Sequence, residues 1–501
     1  MNLFVLIDEL IAQVRCGAYF AQAAVILALT LYGYLLICAI TPSLGFVRKV
    51  LLAYPAGLAA FGIVAFLLVV TAIPYTKLTV LIGCILAGIL VWAICVKAQK
   101  SPLSGIWNVP PKAAAIAGLI LLLAILLSCL GFLRVTISND SVFNYSFYPR
   151  LIVHYQGLRP NFNTFLTDVG QGVALINTLP FLFGFEETFG IQHMLNLVFA
   201  ANFAVALFEA VPAQKKRIRI LFACAGTALL LVSMPYLLLA KWVLANDYFA
   251  VFMFLAAYLA TLGGKGQTEV IRLLYLLIPA ISILRIEGGV FVVLLVLCMS
   301  ILDLKTKDLA LGMLLPSILL QALYAARIFL TMSIIAPYRF LTEEKALLML
   351  LLMGFGLVYL LLIKDRFFCR MQKHLGLLII ACLLLINLIL CIRDASMYLE
   401  NLRAFAQNIL YSGGWGIFPL SILVIYLLSL NREFRPQFFD LLFLSYLFYV
   451  LAVSFMREGG MQKGVGDSGN RVLMQVVPVA LFAALLHLAQ IFKPKEEETK
   501  S

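Results

Sequence analysis

The sequence predicts an all-α protein, a polytopic bundle of about 13–15 transmembrane helices, and three observations lead there. Of its 501 residues, 63% are hydrophobic. Only 12% are charged, about half the share of an ordinary soluble domain. The mean hydropathy of +1.04 leaves more apolar side chains than soluble cores could hide. These side chains fall in runs close to the ~20 residues that one helix needs to cross a ~30 Å hydrocarbon layer. No stretch remains for a sizeable soluble domain, so any chemistry must sit in loops and helix ends held by the bundle.

Taken in order, apolar windows lie near 18–40, 51–72, 78–96, 113–133, 190–210, 220–240, 247–262, 272–285, 288–303, 309–327, 346–363, 375–392, 414–430, 438–455 and 472–492. The segment before the first window carries Asp8 and Glu9 instead of a basic flank, and the window is too long for a signal peptide, so it is expected to be kept. Windows 272–285 and 288–303 are short and divided by Arg285-Ile-Glu-Gly-Gly. The apolar stretch 171–185 is too short to cross and reads as a re-entrant or interfacial helix. The chain thus divides into N-terminal spans at 1–112, a segment 113–303 with a large loop at 134–189, and C-terminal spans at 304–501 with loops at 394–412 and 456–471.

Lysines and arginines set the orientation. One set of alternate loops holds 22 of the 37, including Arg48-Lys49, Lys215-Lys216-Arg217 and the tail residues Lys493, Lys495 and Lys500; the other holds 15. The richer set, and with it the C-terminus, is expected in the cytoplasm, and loop 134–189 outside. The net charge of +13 is therefore read as cations that orient the chain in a lipid bilayer and meet anionic headgroups, and no nucleic-acid partner is expected. Carboxylates do not orient a membrane protein, yet many fall on the outer side, as at the mouth of a polar cavity. Ten cysteines form no CxxC pair, and the four histidines lie far apart, so neither a disulfide framework nor a metal is expected. Gly264-Lys265 lacks the rest of a P-loop, which disfavours ATP-driven transport.

Four patches could carry chemistry. After the fourth window, Asn139-Asp140-Ser141 leaves the membrane and enters an aromatic, amphipathic segment with Tyr145, Pro149-Arg150 and Gly157. A partly desolvated Asp140 could act as a general base toward a hydroxyl, although an N-cap of a helix starting at Ser141 uses the same residue. Lys241-Trp242 and Asn246-Asp247 open the window 247–262; Asp247 could face a cavity, cap its helix, or do both. Arg285 and Glu287 lie between two apolar runs, where ionisable groups are costly and suggest function, or else an ion pair closing a helical hairpin. The glycine-rich loop 456–471 ends in Ser468-Gly-Asn-Arg471, which could bring backbone amides and a cation to an anion, or be a flexible connection alone.

Together, in this order and on one expected side, these patches resemble the GT-C superfamily of polytopic glycosyltransferases, the protein O-mannosyl and aminoarabinose transferase type in particular. The resemblance implies a GT-C-like core at 113–303 with amphipathic helices in the first large outer loop. It implies an inverting transferase that takes a sugar from a polyprenyl-phosphate donor to an acceptor glycan, lipid or protein, without cofactor or metal. Asp140 would be the catalytic base, and Arg285 and Arg471 would bind the donor phosphate. Asp247, Glu287, Lys241, Tyr145 and Arg150 would position substrate. The implied place is the outer face of a bacterial cytoplasmic membrane. A polymerase or ligase of lipid-diphosphate-linked saccharides shares much of this chemistry. A transporter or flippase of lipid-linked saccharides should show interrupted helices in matching positions of two halves, and 272–303 has no such counterpart.

Overall fold

The computed structural model describes residues 18–98, 111–129, 143–162, 166, 170–184, 189–211, 216–232, 245–334, 341–363, 370–372, 374–430, 437–456, 464 and 468–491. Among them it is all-α, without a strand. Nine of the described helices are long and apolar enough to cross a membrane. The chain is an integral membrane protein.

The N-terminal helices are α1 (Ala18–Ile40), α2 (Phe46–Val70), α3 (Lys77–Ala98) and α4 (Pro111–Cys129). Next come α5 (Tyr148–His154), extended at its start by a π turn over Phe143–Phe147, and α6 (Gly172–Leu182). Helices α7 (Phe189–Ala210), α8 (Lys216–Val232), α9 (Ala245–Gly264), α10 (Ile271–Leu284), α11 (Gly288–Met299), α12 (Asp308–Thr331) and α13 (Glu343–Leu362) follow. The chain continues with α14 (Leu375–Arg393), α15 (Ala395–Gln407), α16 (Phe418–Leu430), α17 (Phe438–Met456), α18 (Ser468–Met474) and α19 (Val477–Ile491). They form two compact units, one of Met1–Val198 with Ala240–Gln372, the other of Phe199–Leu239 with Lys373–Ser501.

In the first unit α2 is the central helix, packed against α1, α3, α6 and α10. Its crossing with α1 depends on two glycines: a Cβ on Gly33 would lie 1.9 Å from the Ala53 carbonyl oxygen, and one on Gly57 2.0 Å from that of Leu29. Small residues at such a crossing let backbones meet where lipid offers no hydrophobic drive for association. Helix α2 starts at Phe46, earlier than the window at 51, and so takes up two cations. Lys49 Nζ reaches the Pro42 carbonyl at 2.7 Å, and Arg48 Nη1 the Gln267 Oε1, also at 2.7 Å. Their long stems lie along apolar surface while their heads find oxygen.

The stretch 171–185 forms α6, eleven residues long and almost wholly buried. Windows 272–285 and 288–303 form α10 and α11, broken at Arg285, whose extended backbone (φ −141°, ψ 165°) ends α10. A Cβ on Gly288 would stand 2.2 Å from the Ser282 carbonyl oxygen, so the chain folds back there and only glycine fits. That carbonyl, left over at the end of α10, accepts from the Gln321 side chain of α12.

In the second unit Asn387 of α14 donates to the Phe448 carbonyl of α17 at 3.0 Å. Asp440 of α17 accepts from Tyr426 of α16 at 2.7 Å and lies 2.9 Å from His487 of α19. Outside the spans, Asp394 caps α15 by accepting from the Met397 N–H and the Ser396 hydroxyl, and these donors hold its carboxyl below the usual range.

Candidate functional site

The first unit gathers polar side chains where five helix ends meet. Gln171 precedes α6; Gln192 and Asn196 occupy the first two turns of α7; Asn246 and Asp247 open α9; Arg285 closes α10; and Glu287 precedes α11. Four of these ends are N-termini, whose free N–H groups and aligned dipoles favour negative charge. A patch of this kind inside an apolar bundle is expensive and points to a bound polar ligand or to function.

The contacts run in two connected groups. Arg285 Nε donates to Glu287 Oε1 at 2.7 Å, both side chains being buried. Its Nη1 reaches Asn246 Oδ1 at 3.4 Å. Asp247, next in sequence and 1% exposed, accepts at Oδ2 from Gln192 Nε2 and, at 3.3 Å, from Asn196 Nδ2. Its Oδ1 has no hydrogen-bond partner among the described residues. Neither has the side-chain amide of Gln171, which is also 1% exposed. Unmet hydrogen bonds of this kind cost roughly 1–3 kcal/mol each, unless a ligand supplies them.

Glycines set Gln171 against the Arg285 turn. Gly170 has φ +86°, and a Cβ on Gly172 would lie 2.0 Å from the Ile283 carbonyl oxygen. The backbone on both sides of Gln171 therefore rests on residues 283–286. On the α9 side, the Phe249 ring packs on Phe291 of α11, with centroids 4.4 Å apart.

The residues expected from sequence fall in four groups. Arg285, Glu287 and Asp247 share one cluster, joined through Asn246. Tyr145, on the π turn before α5, is linked to it through Asn177 and Tyr248, whereas Arg150 of α5 lies against the opposite, C-terminal end of α6. The Tyr145 carbonyl accepts from Asn177 of α6 at 3.4 Å, and Asn177 Oδ1 accepts from Tyr248 at 3.2 Å, one residue beyond Asp247. The Arg150 guanidinium stacks 5.0 Å from the Phe181 ring. Arg471 lies on α18 in the second unit, next to Asn470, which accepts from Trp415 Nε1 and donates to the Gly413 carbonyl at 2.9 Å. Asp140 and Lys241 lie outside the described residues. Gln171, Gln192, Asn196 and Asn246 were not expected. Their signal was an amide inside an apolar run, with Gln192 and Asn196 four apart on one helix face.

Comparison with protein-family models, with curated proteins and with solved structures gave no match to this chain.

Gln171 provides a check on the site. Gln171→Leu is expected to raise the stability of the ligand-free protein by about 1 kcal/mol, because it removes a buried amide that has no hydrogen-bond partner among the described residues. Thermal unfolding in detergent measures this, and a marked fall in the midpoint would mean that the amide is already satisfied in the empty protein.

Proposed function

We propose that the chain is an inverting GT-C-type glycosyltransferase, moving a sugar from a polyprenyl-phosphate donor to a hydroxyl of an envelope lipid, glycan or protein acceptor. The reading places this at the outer face of a bacterial cytoplasmic membrane, with the C-terminus inside. One observation carries most of the weight: among the described residues, Asp247 Oδ1 and the Gln171 amide are buried without hydrogen-bond partners beside the Arg285 turn. A sugar offers hydroxyls to such groups, and a phosphate suits a fixed guanidinium among helix N-termini.

In this reading Asp140 takes the acceptor hydroxyl proton, the acceptor oxygen attacks the anomeric carbon, and the bond from that carbon to the phosphate oxygen breaks. The polyprenyl phosphate leaves with the electron pair, and Arg285 stabilises its charge; Arg471, the other cation expected from sequence, belongs to the second unit and takes no part in this step. Asp247 and Glu287 hold sugar or acceptor, while Lys241, Tyr145 and Arg150 position the substrates from the loop side. Electrostatic stabilisation of a leaving phosphate of this kind requires neither nucleotide nor metal.

The reading is tested by mass spectrometry of lipid extracted from protein purified in mild detergent. A polyprenyl monophosphate carrying a sugar is expected. A polyprenyl diphosphate saccharide in its place would turn the reading toward a polymerase or ligase, and repeated preparations free of any polyprenyl lipid would count against it.

A further inference from the structure

A second feature of the first unit lies apart from this cluster. A groove of about 770 Å³ runs between α1 and α3, floored by Phe61 of α2 and bounded by Leu182 and Phe183 at the C-terminal end of α6. Its walls are apolar, and the Tyr32 hydroxyl among them already donates to the Cys84 carbonyl at 3.0 Å. On α3 the lining runs from Lys77 to Trp92, about 22 Å at helical rise, most of a ~30 Å hydrocarbon layer. One side is open, since Leu81 and Ile89 are 58% and 55% exposed.

The groove has one charged lining residue among those described, and it stands at an end. Lys77 is the first residue of α3, where Thr76 and Thr79 cap the helix reciprocally, each hydroxyl accepting the other's N–H, at 3.2 and 3.0 Å. A lysine there opposes the positive end of the helix dipole, so its place is not explained by the helix. Its ammonium lies 6.0 Å from the Phe183 ring centroid, and among the described residues no carboxylate pairs with it. An anion at this spot would meet both the ammonium and the first N–H groups of α3. It is also a different anion from the one assigned to Arg285. Gln171 and Leu182 mark opposite ends of the eleven-residue α6, about 16 Å apart.

We infer that this groove is a binding site for an anionic phospholipid of the bilayer, one acyl chain lying along α1 and α3 and the phosphate facing Lys77. The chain gains burial against apolar walls that would otherwise face a gap, and the cation selects the headgroup. The inference does not depend on the transfer reaction.

The experiment uses the full chain in phosphatidylcholine vesicles doped with a phosphatidylglycerol that carries a photoreactive group in its acyl chain. Labelling is expected on peptides of α1 and α3. Lys77→Glu, a change at an exposed position, should lower it at least about five-fold, the effect of one cation near a headgroup. Gly88→Phe should lower it as well, because a Cβ there faces Tyr32 at 3.6 Å and a ring would fill the groove. Labelling that is equal in both variants and the parent overturns the inference. So does equal labelling by a matching phosphatidylcholine probe, or displacement of the probe by polyprenyl phosphate but not by phosphatidylglycerol.

Discussion

Arg285→Met alone should cost about 3–5 kcal/mol of stability, because it removes one partner of a buried, hydrogen-bonded ion pair with Glu287. In the structure the two side chains share a 2.7 Å bond at 7% and 5% exposure. Little of the variant should survive purification as a monodisperse species. The double variant Arg285→Met with Glu287→Met should recover most of the loss, since two apolar side chains of similar length can replace a buried pair at little cost. Thermal unfolding of both in detergent measures this. A double variant as unstable as the single one would mean that the pair holds the α10–α11 turn by more than mutual neutralisation. A single variant as stable as the parent would remove the pair as a structural element. The double variant also separates folding from function: it should fold and yet fail to bind the polyprenyl-phosphate donor.

Asp247→Asn should do the reverse, keeping the fold and losing function. The asparagine Oδ1 can take the place of Asp247 Oδ2 and go on accepting from Gln192 and Asn196. Its amide nitrogen then replaces the oxygen that has no partner among the described residues, so a ligand hydroxyl that would donate there meets another donor. A hydrogen bond to a charged group contributes roughly 1.5–3 kcal/mol, and its loss should lower transfer at least about tenfold with little change in unfolding midpoint.

How far the sequence led can be judged residue by residue. The all-α bundle was legible because runs such as 375–392 have no other stable home than a bilayer-crossing helix. The break at Arg285 was legible too, since two charges and two glycines cannot continue an apolar helix. Glu287 and Asp247 were visible for a related reason: a carboxylate in an apolar run has to be explained. Gln171 was hidden. An amide without charge beside a short apolar stretch gives little signal, and its importance comes from Gly170 and Gly172, which bring it against residues 283–286, more than a hundred positions away in the chain. Gln192 and Asn196 were hidden likewise, because their role depends on facing Asp247. The Lys77 groove had no sequence signature, since it arises from the spacing of α1 and α3.

The most direct test of the glycosyltransferase reading is transfer of a radiolabelled sugar from a polyprenyl-monophosphate donor by the purified protein in proteoliposomes, with envelope lipid and glycan acceptors supplied, for the parent chain, Asp140→Asn and Asp247→Asn. The account predicts transfer by the parent, a fall of at least about 100-fold for Asp140→Asn as the general base, and at least about tenfold for Asp247→Asn. Transfer undiminished in both variants, or a well-folded parent that transfers nothing from any polyprenyl-linked donor, would contradict it.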